Sequence, residues 1–116
     1  MYSGSCHCGR VAFDVAVEGP IGDVVECNCS HCSRKGYLLW FQPREQVTFR
    51  SGEADLATYT FNKHHIQHRF CTHCGCAPLG FGTGPDGRAT AAINVRCLEG
   101  VELDTLKRIP FDGRSY

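Results

Sequence analysis

The sequence predicts a mainly β fold with only short helices, stabilised by metal. Two observations carry that reading. Apolar residues alternate along much of the chain, so that Val11, Phe13, Val15 and Val17 share one face, as do Val47 and Phe49, and later Ala91, Ile93 and Val95; a period of two is the signature of a half-buried strand. Seven of the nine cysteines also stand in metal-ligand spacing, as Cys6-x-Cys8, Cys27-x-Cys29-x-x-Cys32 and Cys71-x-x-Cys74. At 116 residues the chain is expected to form one domain, residues 1–116, whose apolar core alone would leave it modestly stable. Metal cross-links would supply part of the rest.

The elements follow in order. On an extended strand residues two apart point to the same side, so Cys6 and Cys8 are expected to present both sulfurs together with His7 directed away. After the strand over 11–17, further strands are expected over 24–27, 37–42, 47–49, 56–61, 66–70, 79–81 and 91–95, separated by Gly, Pro, Asp and Asn turn signals. Helix has room only in short pieces, over 30–35, 43–46 and 101–106. Trp40 and Phe41 are expected in the core. Cys71-x-x-Cys74 with Gly75 behind it reads as a tight knuckle at a strand end, and the Gly-rich stretch 80–87 reads as a hairpin. Cys97 reads as a small buried hydrophobe. Cys76 could compete as a ligand, although four thiolates already complete a structural site. His7, His31 and His73 are spacers expected to point outward, and the cluster His64-His65-x-x-His68 is expected on the surface.

The cysteines divide into four plus three. Two pairs complete one closed tetrahedral site of the structural kind, from Cys6, Cys8, Cys71 and Cys74; the triplet Cys27, Cys29 and Cys32 is a self-contained tripod that leaves a fourth corner for water or substrate. Completion of the tripod by Cys97, His31 or another histidine would make it a second structural site. Two zinc ions per chain are expected. Three thiolates on one Zn²⁺ leave a net charge of about −1, which makes the ion a weaker Lewis acid than a three-histidine site and favours exchange of water for a substrate thiolate. An incoming anionic thiol would need compensating positive charge. Arg34 and Lys35, directly after the triplet, and Arg96 with Asn94 are the candidates; as ordinary surface residues they read as a solvated turn and as support for the sheet.

Composition narrows the function further. Twelve basic residues balance twelve acidic ones, and seven thiolates with two zinc ions would bring the formal balance to about −3. No basic stripe of the kind that neutralises phosphates stands out, so nucleic-acid binding is not expected. The N-terminus lacks a basic segment followed by an apolar one, and no apolar run reaches spanning length, so a cytoplasmic protein without membrane contact is expected. In that compartment clustered cysteines are metal ligands rather than disulfides. No Ser-His-Asp triad is recognisable, and the Gly-rich stretch lacks the Lys-Ser or Lys-Thr of a phosphate cradle.

The runs Gly4-Ser5-Cys6-His7-Cys8-Gly9, Cys27-Asn28-Cys29-Ser30-His31-Cys32, Arg69-Phe70-Cys71-Thr72-His73-Cys74-Gly75 and Ile93-Asn94-Val95-Arg96-Cys97-Leu98, with the closing Phe111-Asp112-Gly113-Arg114, resemble the glutathione-dependent formaldehyde-activating enzyme family, which also includes centromere protein V. The resemblance implies an Mss4-like fold of twisted antiparallel sheets. It implies a structural zinc on Cys6, Cys8, Cys71 and Cys74 and a catalytic zinc on Cys27, Cys29 and Cys32. It further implies a carbon-sulfur lyase acting on a thiol-aldehyde adduct such as S-hydroxymethylglutathione, with glutathione as the thiol. The alternative reading is a non-catalytic, zinc-braced binding module for a protein or chromatin partner.

Overall fold

The computed structural model describes residues 1–61 and 66–115. Ten strands dominate it: β1 (Tyr2–Ser5), β2 (Ala12–Val15), β3 (Asp23–Cys27), β4 (Leu39–Pro43), β5 (Val47–Ser51), β6 (Leu56–Tyr59), β7 (Gln67–Cys71), β8 (Leu79–Thr83), β9 (Ala89–Asn94) and β10 (Lys107–Phe111). The one α-helix among the described residues, α1 (Ser30–Lys35), follows β3, and the segments expected to be helical over 43–46 and 101–106 are single 3-10 turns at Arg44–Gln46 and Leu103–Thr105. The mainly β expectation holds.

The strands form two sheets. The smaller runs β1-β2-β5 and is antiparallel; the larger runs β10-β3-β4-β9-β8-β7-β6. The buried side chains of β2 and β5, Phe13, Val15 and Val47, pack in one cluster with Leu38, Trp40, Leu79, Ala91, Ile93 and Val95 of the large sheet and its margins. The small sheet therefore covers the centre of the large one. Phe13 is fully buried at this interface, and its truncation to alanine would cost about 3–5 kcal/mol.

Two departures from the sequence reading bear on function. Cys6, His7 and Cys8 are not on an extended strand: β1 ends at Ser5, and the chain turns back through Cys6 N–H to Val11 O (3.0 Å) and Gly9 N–H to Cys6 O (3.3 Å). The pair lies in the turn of the β1–β2 hairpin. The second departure is β10, which alternation did not mark because Lys107-Arg108-Ile109-Pro110-Phe111 mixes charge with a proline that cannot complete a ladder. It is an edge strand, paired parallel to β3 with Phe111 beside Cys27, so the large sheet is mixed rather than wholly antiparallel.

Alternation on β4 also splits an expected pair. Trp40 points into the core at 5% exposure, whereas Phe41, on the opposite face, is 47% exposed because successive strand residues face opposite sides.

Candidate metal centres and the adjoining cavity

Two thiol clusters form, each with all its sulfurs within 4.8 Å of one another: Cys6, Cys8, Cys71 and Cys74 in one, Cys27, Cys29 and Cys32 in the other. All nine cysteines are free thiols. With zinc–sulfur bonds of about 2.3 Å, the sulfurs of a tetrahedral site stand about 3.8 Å apart. Cys8 Sγ is 3.6 Å from Cys6 Sγ and 3.7 Å from Cys71 Sγ, so zinc fits this donor set both chemically and in size.

The four-thiol cluster joins the two sheets, because Cys6 and Cys8 come from the β1–β2 turn and Cys71 and Cys74 from the end of β7 and the turn after it. Gly75, at φ +77°, closes that turn with its N–H on Cys71 O (2.9 Å), a left-handed conformation that favours glycine. Amides point at the sulfurs: Val11 N–H donates to Cys6 Sγ and His73 N–H to Cys71 Sγ, both at 3.4 Å. Such donors favour the thiolate. Bonds from the amides of Cys8 and Cys76 lower Cys74 to about 6. At Cys8 the Arg10 amide acts in the same direction, but desolvation and the neighbouring thiols outweigh it and raise that group to about 11. Crowded thiols thus resist losing all their protons unless a cation is among them.

The three-thiol cluster is built locally. Cys27 ends β3, Cys29 caps α1 by accepting from Cys32 N–H at 3.2 Å, and Cys32 lies in the first turn of that helix. Burial raises Cys27 and Cys32, Cys32 strongly; Cys29 also feels burial, yet amide and thiol hydrogen bonds, that of Cys32 first, leave it lowered. Among the described residues no fourth His, Cys, Asp or Glu joins the group. A divalent cation fits this donor set too, and its fourth corner has no donor from the described chain.

The C-terminal segment covers the cluster on one side. Asn28, between two of the cysteines, clasps it: its amide N–H donates to Phe111 O (3.1 Å), its Nδ2 to Asp112 Oδ1 (2.9 Å), and its Oδ1 accepts from Arg114 N–H (2.9 Å). Gly113 rests directly on Cys27 and Cys29, leaving no room for a Cβ.

On another side the three thiols open into a cavity of about 450 Å³, a size typical of small-molecule sites. Its walls are Val25, Leu39, Leu79 and Ala92 of the large sheet, and Phe41, Phe61, Ile66 and Phe111 around them. Tyr37 and His68 are the polar side chains on the wall besides the thiols, among the described residues. Burial, then the charges of His31 and Lys35, push His68 down to about 4, and burial raises Tyr37. Both are neutral at pH 7. The four-thiol cluster contributes nothing to this cavity.

Of the residues expected to hold an anionic substrate, none lines the cavity. Arg34 Nη1 donates to Ser30 O (2.8 Å), Lys35 Nζ lies 5.8 Å from the centre of the Phe70 ring, and Arg96 Nε donates to Gly36 O (3.0 Å). Asn94 is buried, with Nδ2 on Ala77 O (3.1 Å) and Oδ1 accepting from Arg96 N–H (3.2 Å). Conversely His68, expected on the surface, is buried and its ring lies 4.2 Å from that of His31. His64 and His65 lie outside the described residues. Cys76 stands 3.6 Å from Cys97, sulfur to sulfur, outside both clusters, and Cys97 is raised to about 12 by burial and by Cys76. Phe41 was expected in the core, and Phe111 and Gly113 stood only in the closing run of the resemblance, with no site role assigned, since a strand's outward aromatic and a glycine acquire meaning only from what packs beside them.

A family model described as glutathione-dependent formaldehyde-activating enzyme matches residues 1–107. Among solved structures, a crystal structure of a Rhodobacter sphaeroides protein superposes with a TM-score of 0.78 at 26% identity, covering 92% of this chain and 99% of that one.

Proposed function

The chain belongs to the glutathione-dependent formaldehyde-activating enzyme family, and from that premise we propose that it is a carbon-sulfur lyase acting on a thiol-aldehyde adduct at the Cys27, Cys29 and Cys32 cluster. One observation carries the reading. Of the two thiol clusters, the one with three donors, not the one with four, forms part of the wall of a ligand-sized cavity. In this reading Cys6, Cys8, Cys71 and Cys74 hold a structural zinc that pins the sheets together.

Zinc held by Cys27, Cys29 and Cys32 would supply a soft Lewis acid for the substrate sulfur. In cleavage of a hemithioacetal the carbon-sulfur bond breaks with its electron pair remaining on sulfur. The hydroxyl proton leaves, and the oxygen–hydrogen pair becomes the second bond of the aldehyde carbonyl; the reverse reaction adds a thiolate to the aldehyde and reprotonates the oxygen. His68, kept neutral, offers an imidazole nitrogen to that hydroxyl proton, and Tyr37, kept protonated, offers a hydrogen-bond donor to the same oxygen. Apolar walls limit water at the reacting atoms. Asn28 fixes the C-terminal segment against the cluster and so sets one boundary of the site.

Exchange spectroscopy with ¹³C-formaldehyde and a thiol tests the reading: the protein should accelerate interconversion of free aldehyde and adduct. Cys29→Ser should abolish the acceleration with the fold kept and one zinc lost. No acceleration by the fully metallated protein would leave the non-catalytic binding module as the better account.

A further inference from the structure

We propose that the substrate of this site carries an apolar body, aromatic or branched aliphatic, on its sulfur, and that glutathione is a poor fit. The inference rests on the reading that the Cys27 cluster holds an open metal, and it names the class of thiol that reaches it.

The wall is the first argument. Among the described residues, and beyond the three thiols, it is hydrocarbon, ring and glycine, apart from the hydroxyl of Tyr37 and the imidazole of His68. Phe41, Ile66 and Phe111 are each nearly half exposed, at 47%, 47% and 46%. Large apolar side chains partly open to water around one cavity gain most from a ligand that covers their exposed parts with hydrocarbon.

The second argument is charge. Glutathione brings two carboxylates and an ammonium group, and burying such groups without partners is costly. Among the described residues, none of the cations closest in sequence to the cluster lines the cavity: Arg34 donates to Ser30 O and Arg96 to Gly36 O, while Lys35 lies against Phe70, from where its charge reaches His68. At the C-terminal edge the carboxyl of Asp112 is held low first by Ser115 and Asn28 and then by the charge of Arg114, so that edge carries both signs. Three thiolates around a divalent ion add a net charge of about −1 beneath the cavity, which repels further anions.

Geometry then orients the ligand. The thiols come from the β3 end and α1, while Phe41 belongs to β4 and Ile66 directly precedes β7. A sulfur at the cluster places the group attached to it between these side chains.

The test uses the cobalt-substituted protein, titrated with phenylmethanethiol, mercaptoethanol and glutathione while the thiolate-to-cobalt charge-transfer bands are followed. The closed four-thiolate site should not respond. Phenylmethanethiol should bind about tenfold or more tighter than glutathione, with mercaptoethanol between or weaker than both. Phe41→Ala should erase most of that preference with metal content unchanged, and Phe41→Leu should restore it. Glutathione binding as tightly as phenylmethanethiol, or a preference indifferent to Phe41→Ala, overturns the apolar assignment while leaving the open metal intact. Silence of the bands toward all three thiols overturns the open-metal reading and this one with it. If the apolar side chains instead join two copies of the chain, sedimentation will be concentration-dependent and sensitive to Phe41→Ala, with no apolar preference, which also overturns the assignment.

Discussion

Gly113 lies so close to Cys27 that a Cβ added to it would overlap the Cys27 sulfur and stand 3.1 Å from Cys29 Cβ. The C-terminal segment is thus in direct contact with the three-thiol cluster, held there by pairing of Phe111 with Cys27 and by the Asn28 clasp.

Gly113→Ala should consequently lower metal affinity at this cluster by about ten- to a hundredfold, the range seen when groups supporting metal ligands are disturbed. The remaining fold should be intact. Zinc release titrated with a chelator should show one weakened ion and one unchanged; two unchanged ions would mean that the segment simply moves aside.

Asn28→Ala removes both side-chain bonds to the segment, at about 1 kcal/mol each. Hydrogen exchange at the Arg114 amide, which donates to Asn28 Oδ1, should accelerate by about tenfold or more, while amides of the β8–β9 ladder stay protected. Unchanged exchange at Arg114 would show that β10 alone holds the tail.

Cys6→Ser and Cys74→Ser should destabilise the whole chain by several kcal/mol, because each removes a ligand from the proposed link between the two sheets. Chelation should act in the same direction. Cys29→Ser should leave the melting temperature within a few degrees of wild type, since its cluster joins only β3 to the adjoining helix. Equal losses in all three variants, by calorimetry, would make both clusters structural.

His68 gives a pH dependence with a defined sign. Its folded pKa, pushed down to about 4 by burial and then by His31 and Lys35, lies below the ordinary histidine value of about 6.5. Above pH 6.5 neither state is protonated there and stability is unaffected. As pH falls from 6.5 toward 4 the unfolded chain takes up the proton first, so stability declines, and the decline levels off below 4. After discounting for solvent screening, its share is about 1–2 kcal/mol. Thiolate protonation also weakens the fold in acid, so the measurement is the difference between wild type and His68→Gln in urea denaturation at pH 7 and pH 5. A constant difference between those pH values would refute the assignment.

Sequence alone determined what short range can determine. Period-two alternation marked the central strands, and Cys27, Cys29 and Cys32 could be recognised as a tripod because their convergence needs only a strand end and one helical turn, both within six residues. The division of cysteines into four and three also follows from spacing, although the turn that carries Cys6 and Cys8 reads in the sequence as extended chain. Tertiary structure decided the rest. Bringing Cys6 and Cys8 to Cys71 and Cys74 requires one sheet to pack on the other, through contacts far apart in the chain. Placing Phe111 and Gly113 on the Cys27 cluster requires an edge strand with a proline and no alternation to find a parallel partner. The polar and charged residues that spacing offered for substrate, Arg34, Lys35, Asn94 and Arg96, are directed to backbone carbonyls or an aromatic ring, while Phe41 and His68 reach the cavity. Which face of a strand meets a cavity depends on what packs opposite it, and that partner is set by the folded sheets rather than by neighbouring residues in the chain.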